Sequence, residues 1–189
     1  TAQKRSEKQV DVPISVVAVS EQKLQNSGVQ GMGDLAQVVP ALHVDASGAF
    51  FQPSIRGVGT AIAGAGASAN VATYVDGIYK PNALSNDFDF IDIDSIQVLK
   101  GPQGTLFGRN AAAGAISIVT NEPSDNFEGR VRARFGDYGR QYVDGLVNIP
   151  LNQDMALRLS SYSNRSDGWL TDAASGKRYG GDHDFGTRM

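Results

Sequence analysis

A chain of 189 residues, 41% hydrophobic and 20% charged, has room for one or two globular domains. Its net charge of −3 argues against a nucleic-acid partner, because no basic stripe is present to neutralise phosphates. No apolar run reaches the roughly 18 residues of a spanning helix; spanning strands stay open, since their alternation keeps hydropathy near that of soluble proteins.

Residues 1–9 are polar, and Thr1 opens directly on AQKRSEK with no signal peptide, so any signal is expected upstream or already removed. Ile14 to Val19 is a β-branched strand candidate. Ser20 then has the character of a helix cap, with Leu24 facing inward and Asn26-Ser27-Gly28 ending the turn. Gly33-Asp34 opens a second short helix through Val39, stopped by Pro40. Leu42 to Asp45 is a short strand carrying His43, expected to be a partly buried structural histidine, since no cysteine or second histidine lies near it.

Ser54-Ile55-Arg56-Gly57-Val58-Gly59-Thr60 echoes a dinucleotide fingerprint, with Asp76 placed 19 residues after Gly57. That fingerprint needs a helix directly after the glycines, and AIAGAGASANVA reads as a loop instead. Asp76-Gly77, between Tyr74-Val75 and Ile78-Tyr79, is the strongest hairpin signal in the chain. Lys80 to Asp92 reads as a solvated loop whose Asp87, Asp89 and Asp92 do not fit calcium-loop spacing.

Ile93 to Thr120 is the organising stretch, and within it Val98 to Thr120 reads VLKGPQGTLFGRNAAAGAISIVT. A strand ending in Ile96, Val98 and Leu99 meets a corner with Gly101, Pro102, Gly104 and Gly108, then a second strand over Ala115 to Thr120. Only three residues separate Gly104 from Gly108 and Arg109-Asn110 follows, so the corner is not a phosphate loop.

After the polar run NEPSDN (121–126) the pattern changes to three alternating stretches. Arg130, Arg132 and Arg134 share one face and Val131, Ala133 and Phe135 the other. Val143, Gly145, Val147 and Ile149 alternate with Tyr142, Asp144, Leu146 and Asn148; Met155, Leu157 and Leu159 alternate with Ala156, Arg158, Ser160 and Tyr162. A short turn is expected over Pro150 to Asp154 and a longer polar loop over Ser166 to Gly181. The pattern fits a membrane barrel and equally a soluble sheet with one wet face.

The 98–120 stretch resembles the plug-domain signature of TonB-dependent outer-membrane receptors, with a lysine-glycine-proline turn, an aromatic-glycine-arginine corner and a G-A-I-S-I strand. SIRGVGT and YVDGIY resemble further plug segments in the expected order; Ala111-Ala112-Ala113 departs from the family's usual small polar residue and extra glycine. The resemblance selects the barrel reading for the C-terminal strands. It implies an α+β plug domain (a small mixed sheet with short helices) over 10–124, preceded by an N-terminal periplasmic segment, 1–9. The first three antiparallel strands of a transmembrane β-barrel and the start of a fourth follow over 125–189; such barrels have about 22 strands, so the sequence reads as part of a larger chain.

The implied function is uptake of a scarce ligand, an iron chelate first among them, across the bacterial outer membrane, driven by TonB and its inner-membrane energising complex. Of the TonB-pairing box, at most Thr1 and Ala2 are expected here. The other implied surroundings are outer-membrane lipid and a monomeric state, with no cofactor, metal or catalytic residue. Arg56 and Arg109 are the implied plug half of a lock to glutamates on the barrel wall. Gly57, Gly59, Gly77, Gly101, Gly104, Gly108 and Gly114 are structural, and Thr60, Ala61, Asn70, Lys80, Asn82 and Asn86 belong to ligand-facing apical loops. The competing reading is a stand-alone periplasmic binding or secretion-associated module with a plug-like fold.

Overall fold

The computed structural model describes residues 15–47, 50–60, 69–81, 90–108, 110–152 and 154–189. The chain divides into two compact units, 1–121 and 122–189.

The first unit is built on a mixed sheet. Strands β1 (Ser15–Ser20), β4 (Val71–Val75), β5 (Ile78–Lys80), β6 (Ile93–Lys100) and β7 (Gly114–Thr120) lie in the order β1-β6-β7-β4-β5. All neighbours are antiparallel except β4 and β7, which run parallel. A parallel pair needs a long crossover and cover on both faces, and the sheet has that cover. Val71, Ile96, Val98, Ile116 and Ile118 point into the larger apolar cluster, while Ala72, Leu99 and Ala115, one position out of phase, point into a second. Helix α1 (Glu21–Asn26) is capped by Ser20, whose side chain accepts from Lys23 N at 3.4 Å, and contributes buried Leu24 to the larger cluster. The second expected helix forms as a 3₁₀ turn over Met32–Gln37, so it stops short of Val39, whose side chain is nevertheless buried. Strands β2 (Leu42–Ser47) and β3 (Phe50–Ile55) form a separate two-stranded sheet.

His43 corrects its expectation: its side chain is 72% exposed on β2 and lies 3.1 Å from Asp45 Oδ1. Asp92 does so too. It is buried rather than solvated, and Asn121 Nδ2 donates to its Oδ1 at 2.9 Å.

The second unit is a four-stranded antiparallel sheet, β8 (Glu128–Phe135), β9 (Gln141–Asn152), β10 (Met155–Arg165) and β13 (His183–Arg188), in the order β13-β10-β9-β8. The stretch expected to be only a polar loop holds a small hairpin of its own, β11 (Leu170–Thr171) with β12 (Arg178–Tyr179). Asp172 organises that hairpin's turn by accepting from Ser175 Oγ and then from Ala174 N, which lowers its pKa.

Candidate functional site: plug corner and barrel wall

Two turns of one kind shape the first unit. Asp76 and Gly77 have φ of +48° and +78°, and Arg56 and Gly57 have +54° and +78°. Positive φ at both central positions is the two-residue turn that matches strand twist. Aspartate tolerates this conformation, whereas arginine is strained in it. Arg56 sits exposed at its tip, held by its own N–H donating to Ala41 O at 2.9 Å. Asp76 also reaches across to Thr120, accepting from its N–H and its hydroxyl, both at 2.9 Å. Its carboxylate therefore fastens the end of β7, a role distinct from the ribose contact of the nucleotide reading.

The glycine corner connects β6 to β7 through α2 (Gly104–Phe107). Gly101 N and Gln103 N donate to Ala113 O and Ala111 O at 3.0 and 2.9 Å, which folds the corner back on itself. Gly108 has φ +68° and ψ −152°, a region open only to glycine. At Gly114 a Cβ would lie 2.2 Å from Leu99 O and 2.7 Å from Ile55 Cδ1. Phe107 packs edge-on to Tyr74 at 5.2 Å, and Tyr79 lies 5.4 Å from Tyr74. The Tyr74 hydroxyl donates to Phe107 O and Asn110 Nδ2 donates to Tyr79 Oη, so the β4–β5 hairpin grips the corner. Burial, then the neighbouring Tyr79, raises the Tyr74 pKa.

Of the residues assigned to apical loops, Thr60 and Asn70 are joined by hydrogen bonds: Asn70 N donates to Thr60 Oγ1 at 2.9 Å, and Asn70 Nδ2 donates to the adjacent Gly59 O at 2.7 Å. Lys80 closes β5, while Ala61, Asn82, Asn86 and Arg109 lie outside the described residues. Among the described residues no acidic side chain pairs with Arg56, and no group of His, Cys, Asp or Glu is placed to hold a metal.

The second unit has its polarity reversed relative to a soluble sheet. Tyr142, Asp144, Asn148, Ser160 and Asn164 are buried, whereas Val131 and Phe135 are 79% and 78% exposed. Arg132 and Arg134 share the face of Asp144: Arg132 Nη2 lies 2.9 Å from it and Arg134 Nη2 3.7 Å. Arg134 also sits over the Tyr142 ring at 4.4 Å, and Tyr142 stacks on Tyr162 at 6.1 Å. Exposed apolar side chains run along β8 from Phe127 to Phe135 and along β9 from Leu151 to Val143. At roughly 3.3 Å per residue, eight steps rise about 20–26 Å depending on tilt, close to the apolar band of an outer-membrane barrel. A soluble sheet would bury that face, so the alternation belongs to a wall whose outside meets lipid.

A family model for the TonB-dependent Receptor Plug Domain matches residues 8–115. The chain belongs to the TonB-dependent receptor plug family. Similar curated proteins include the pesticin receptor of Yersinia pestis, 35% identical over 135 residues, covering 69% of this chain and 20% of that receptor. The catecholate siderophore receptor Fiu of Escherichia coli K12 is 28% identical over 174 residues, covering 90% of this chain and 22% of Fiu. Among solved structures, the ferric yersiniabactin uptake receptor FyuA from Yersinia pestis matches with TM-score 0.78 and 29% identity, over 89% of this chain and 27% of FyuA. The ferripyoverdine receptor of the outer membrane of Pseudomonas aeruginosa matches with TM-score 0.77 and 20% identity, over 90% of this chain and 23% of the receptor, which supports the fold alone. The chain thus spans about a fifth of the curated relatives it matches. The plug and the start of a barrel wall are both present, and the protein is one of the bacterial outer membrane. Sequence reasoning missed Asn148 and Asp92, whose partners lie 22–29 residues away and leave no local signal.

Proposed function

We propose that this chain is the plug and first wall strands of a receptor that carries an iron chelate inward across the outer membrane. TonB and its inner-membrane complex energise it by acting on the N-terminal side of the plug. The observation that carries this reading is the reversed-polarity wall, with Asp144 buried and Val131 exposed, following directly on a plug sheet in one chain. The names of the relatives support the cargo: catecholate siderophore for Fiu and ferric yersiniabactin for FyuA. No covalent step is required; the plug yields and a path opens. In this proposal Arg56 and Arg109 lock the plug to barrel carboxylates, and the loops rooted at Thr60, Asn70 and Lys80 meet the ligand, as loops on a rigid scaffold commonly do.

The test expresses the full-length protein in a bacterium lacking its own siderophore receptors and follows radioactive iron supplied as a ferric catecholate and as ferric yersiniabactin. Accumulation that requires both the protein and TonB is expected. No uptake of any ferric chelate, with the protein folded in the outer membrane, overturns the cargo.

A further inference from the structure

The chain between the two units is fastened on both sides of a very short gap. On the plug side, Asp76 accepts from Thr120 N and Oγ1, Asn121 N donates to Asp92 O at 3.0 Å and Asn121 Nδ2 to Asp92 Oδ1 at 2.9 Å. On the wall side, Asn148 of β9 is fully buried. Its Oδ1 accepts from Ser124 N at 3.0 Å, while its Nδ2 donates to Ser124 O at 2.8 Å, Asn126 O at 2.7 Å and Ser124 Oγ at 3.2 Å. Ser124 Oγ donates to Glu128 Oε1 at 2.9 Å, and the other oxygen of Glu128 is 3.0 Å from Arg158 Nη1 on β10. Only Glu122 and Pro123 lie between the two sets of bonds, and Pro123 has a fixed φ and no N–H.

An inward-facing position needs nothing more than a polar side chain. The amide at 148 instead bonds the connecting backbone with its acceptor and both donors, which no hydroxyl or carboxylate can reproduce.

We propose that Asn148 is a positioning residue that clamps the first residues of the second unit, Ser124 to Asn126, onto its own strand β9, so that whatever part of the plug rearranges during transport lies N-terminal to Thr120. The inference rests on the transport reading only for its purpose; the clamp itself is measured without any substrate.

The experiment pulls the full-length protein from its N-terminus in a lipid bilayer, one molecule at a time, and follows backbone amide exchange in parallel. In the parent protein the released chain is expected to halt near Asn121. Asn148→Ala should extend the release by residues 122–127, about 20 Å at roughly 3.4 Å per residue, and speed exchange of the Ser124 amide, which donates to Asn148 Oδ1, about tenfold or more, with β8 to β10 unchanged. Asn148→Asp keeps the shape and the bond from Ser124 N but loses both donors, and should reproduce the longer release even where the alanine variant does not fold. Release that runs past Asn126 in the parent, or unchanged length and exchange in both variants, overturns the clamp. Loss of protection across β8 to β10 in both variants overturns it as well, because Asn148 would then be an ordinary wall residue. Failure of iron uptake with the clamp intact rejects the cargo alone.

Discussion

Arg132 faces Asp144 directly across the β8–β9 ladder and grips it with two nitrogens: Nε lies 3.1 Å from both carboxylate oxygens and Nη2 2.9 Å from Oδ2. Asp144 is buried, and Arg134 approaches its other oxygen at 3.7 Å. Asp144→Ala leaves two guanidinium groups on that face without their shared acceptor. The expected loss is about 1.5–3 kcal/mol, the range for charged hydrogen bonds, since Arg132 is partly exposed. Urea unfolding of the full-length protein in lipid vesicles measures it, and an unchanged midpoint refutes the pair's importance.

Val131 and Phe135 are almost equally exposed and differ in depth along β8. Val131 lies mid-band, so Val131→Arg should cost about 2–4 kcal/mol, against about 0–1 for Phe135→Lys near the interface. Equal costs in bilayer refolding would mean that this face does not meet hydrocarbon.

Gly114→Ala places a methyl against Leu99 O and Ile55 Cδ1 at a φ of +155°. The backbone conformation alone should cost about 1–3 kcal/mol, and the clash with main chain adds to it. Gly104→Ala is the control: nothing lies within 4 Å of its added Cβ, and helix α2 should gain a few tenths of a kcal/mol, up to about 1. Proteolysis of the plug in the assembled receptor ranks the two variants; the reverse order would refute the corner geometry.

Tyr74 has its pKa raised above the ordinary 10.0, first by burial and then by Tyr79. The folded state favours the neutral phenol, so this contribution is complete below pH 10.0 and is lost as pH rises through the higher folded value. Ultraviolet titration should show one tyrosine ionising late, with the plug loosening as it does. Tyr74→Phe should remove the late step and cost about 1 kcal/mol through loss of the bond to Phe107 O.

Arg56 holds a strained turn at its exposed tip, a conformation in which glycine would be easier. If its guanidinium serves the lock, Arg56→Gly should relax the turn and still loosen the plug, and Arg109→Leu should loosen it too. Sensitivity to large antibiotics is the readout, and sealing like the parent in both variants rejects the lock.

Period-two alternation in β8, β9 and β10 is a local property of pleated backbone. Arg132, Val131 and Tyr142 were therefore assignable to faces from residue order alone. The Asp76-Gly77 turn and the Ser20 cap were legible for the same reason, since each depends on the sterics and hydrogen bonding of a few adjacent residues. Arg56-Gly57 was not legible as the same turn, because arginine is a poor occupant of positive φ and the surrounding sheet imposes it. Tertiary structure alone decided that β4 lies parallel to β7, that Asp92 is buried against Asn121, and that Asn148 holds Ser124 and Asn126. Each joins residues separated by more than twenty positions. Such contacts form only after loop closure has been offset by burial elsewhere, and so they leave no periodic trace in the chain.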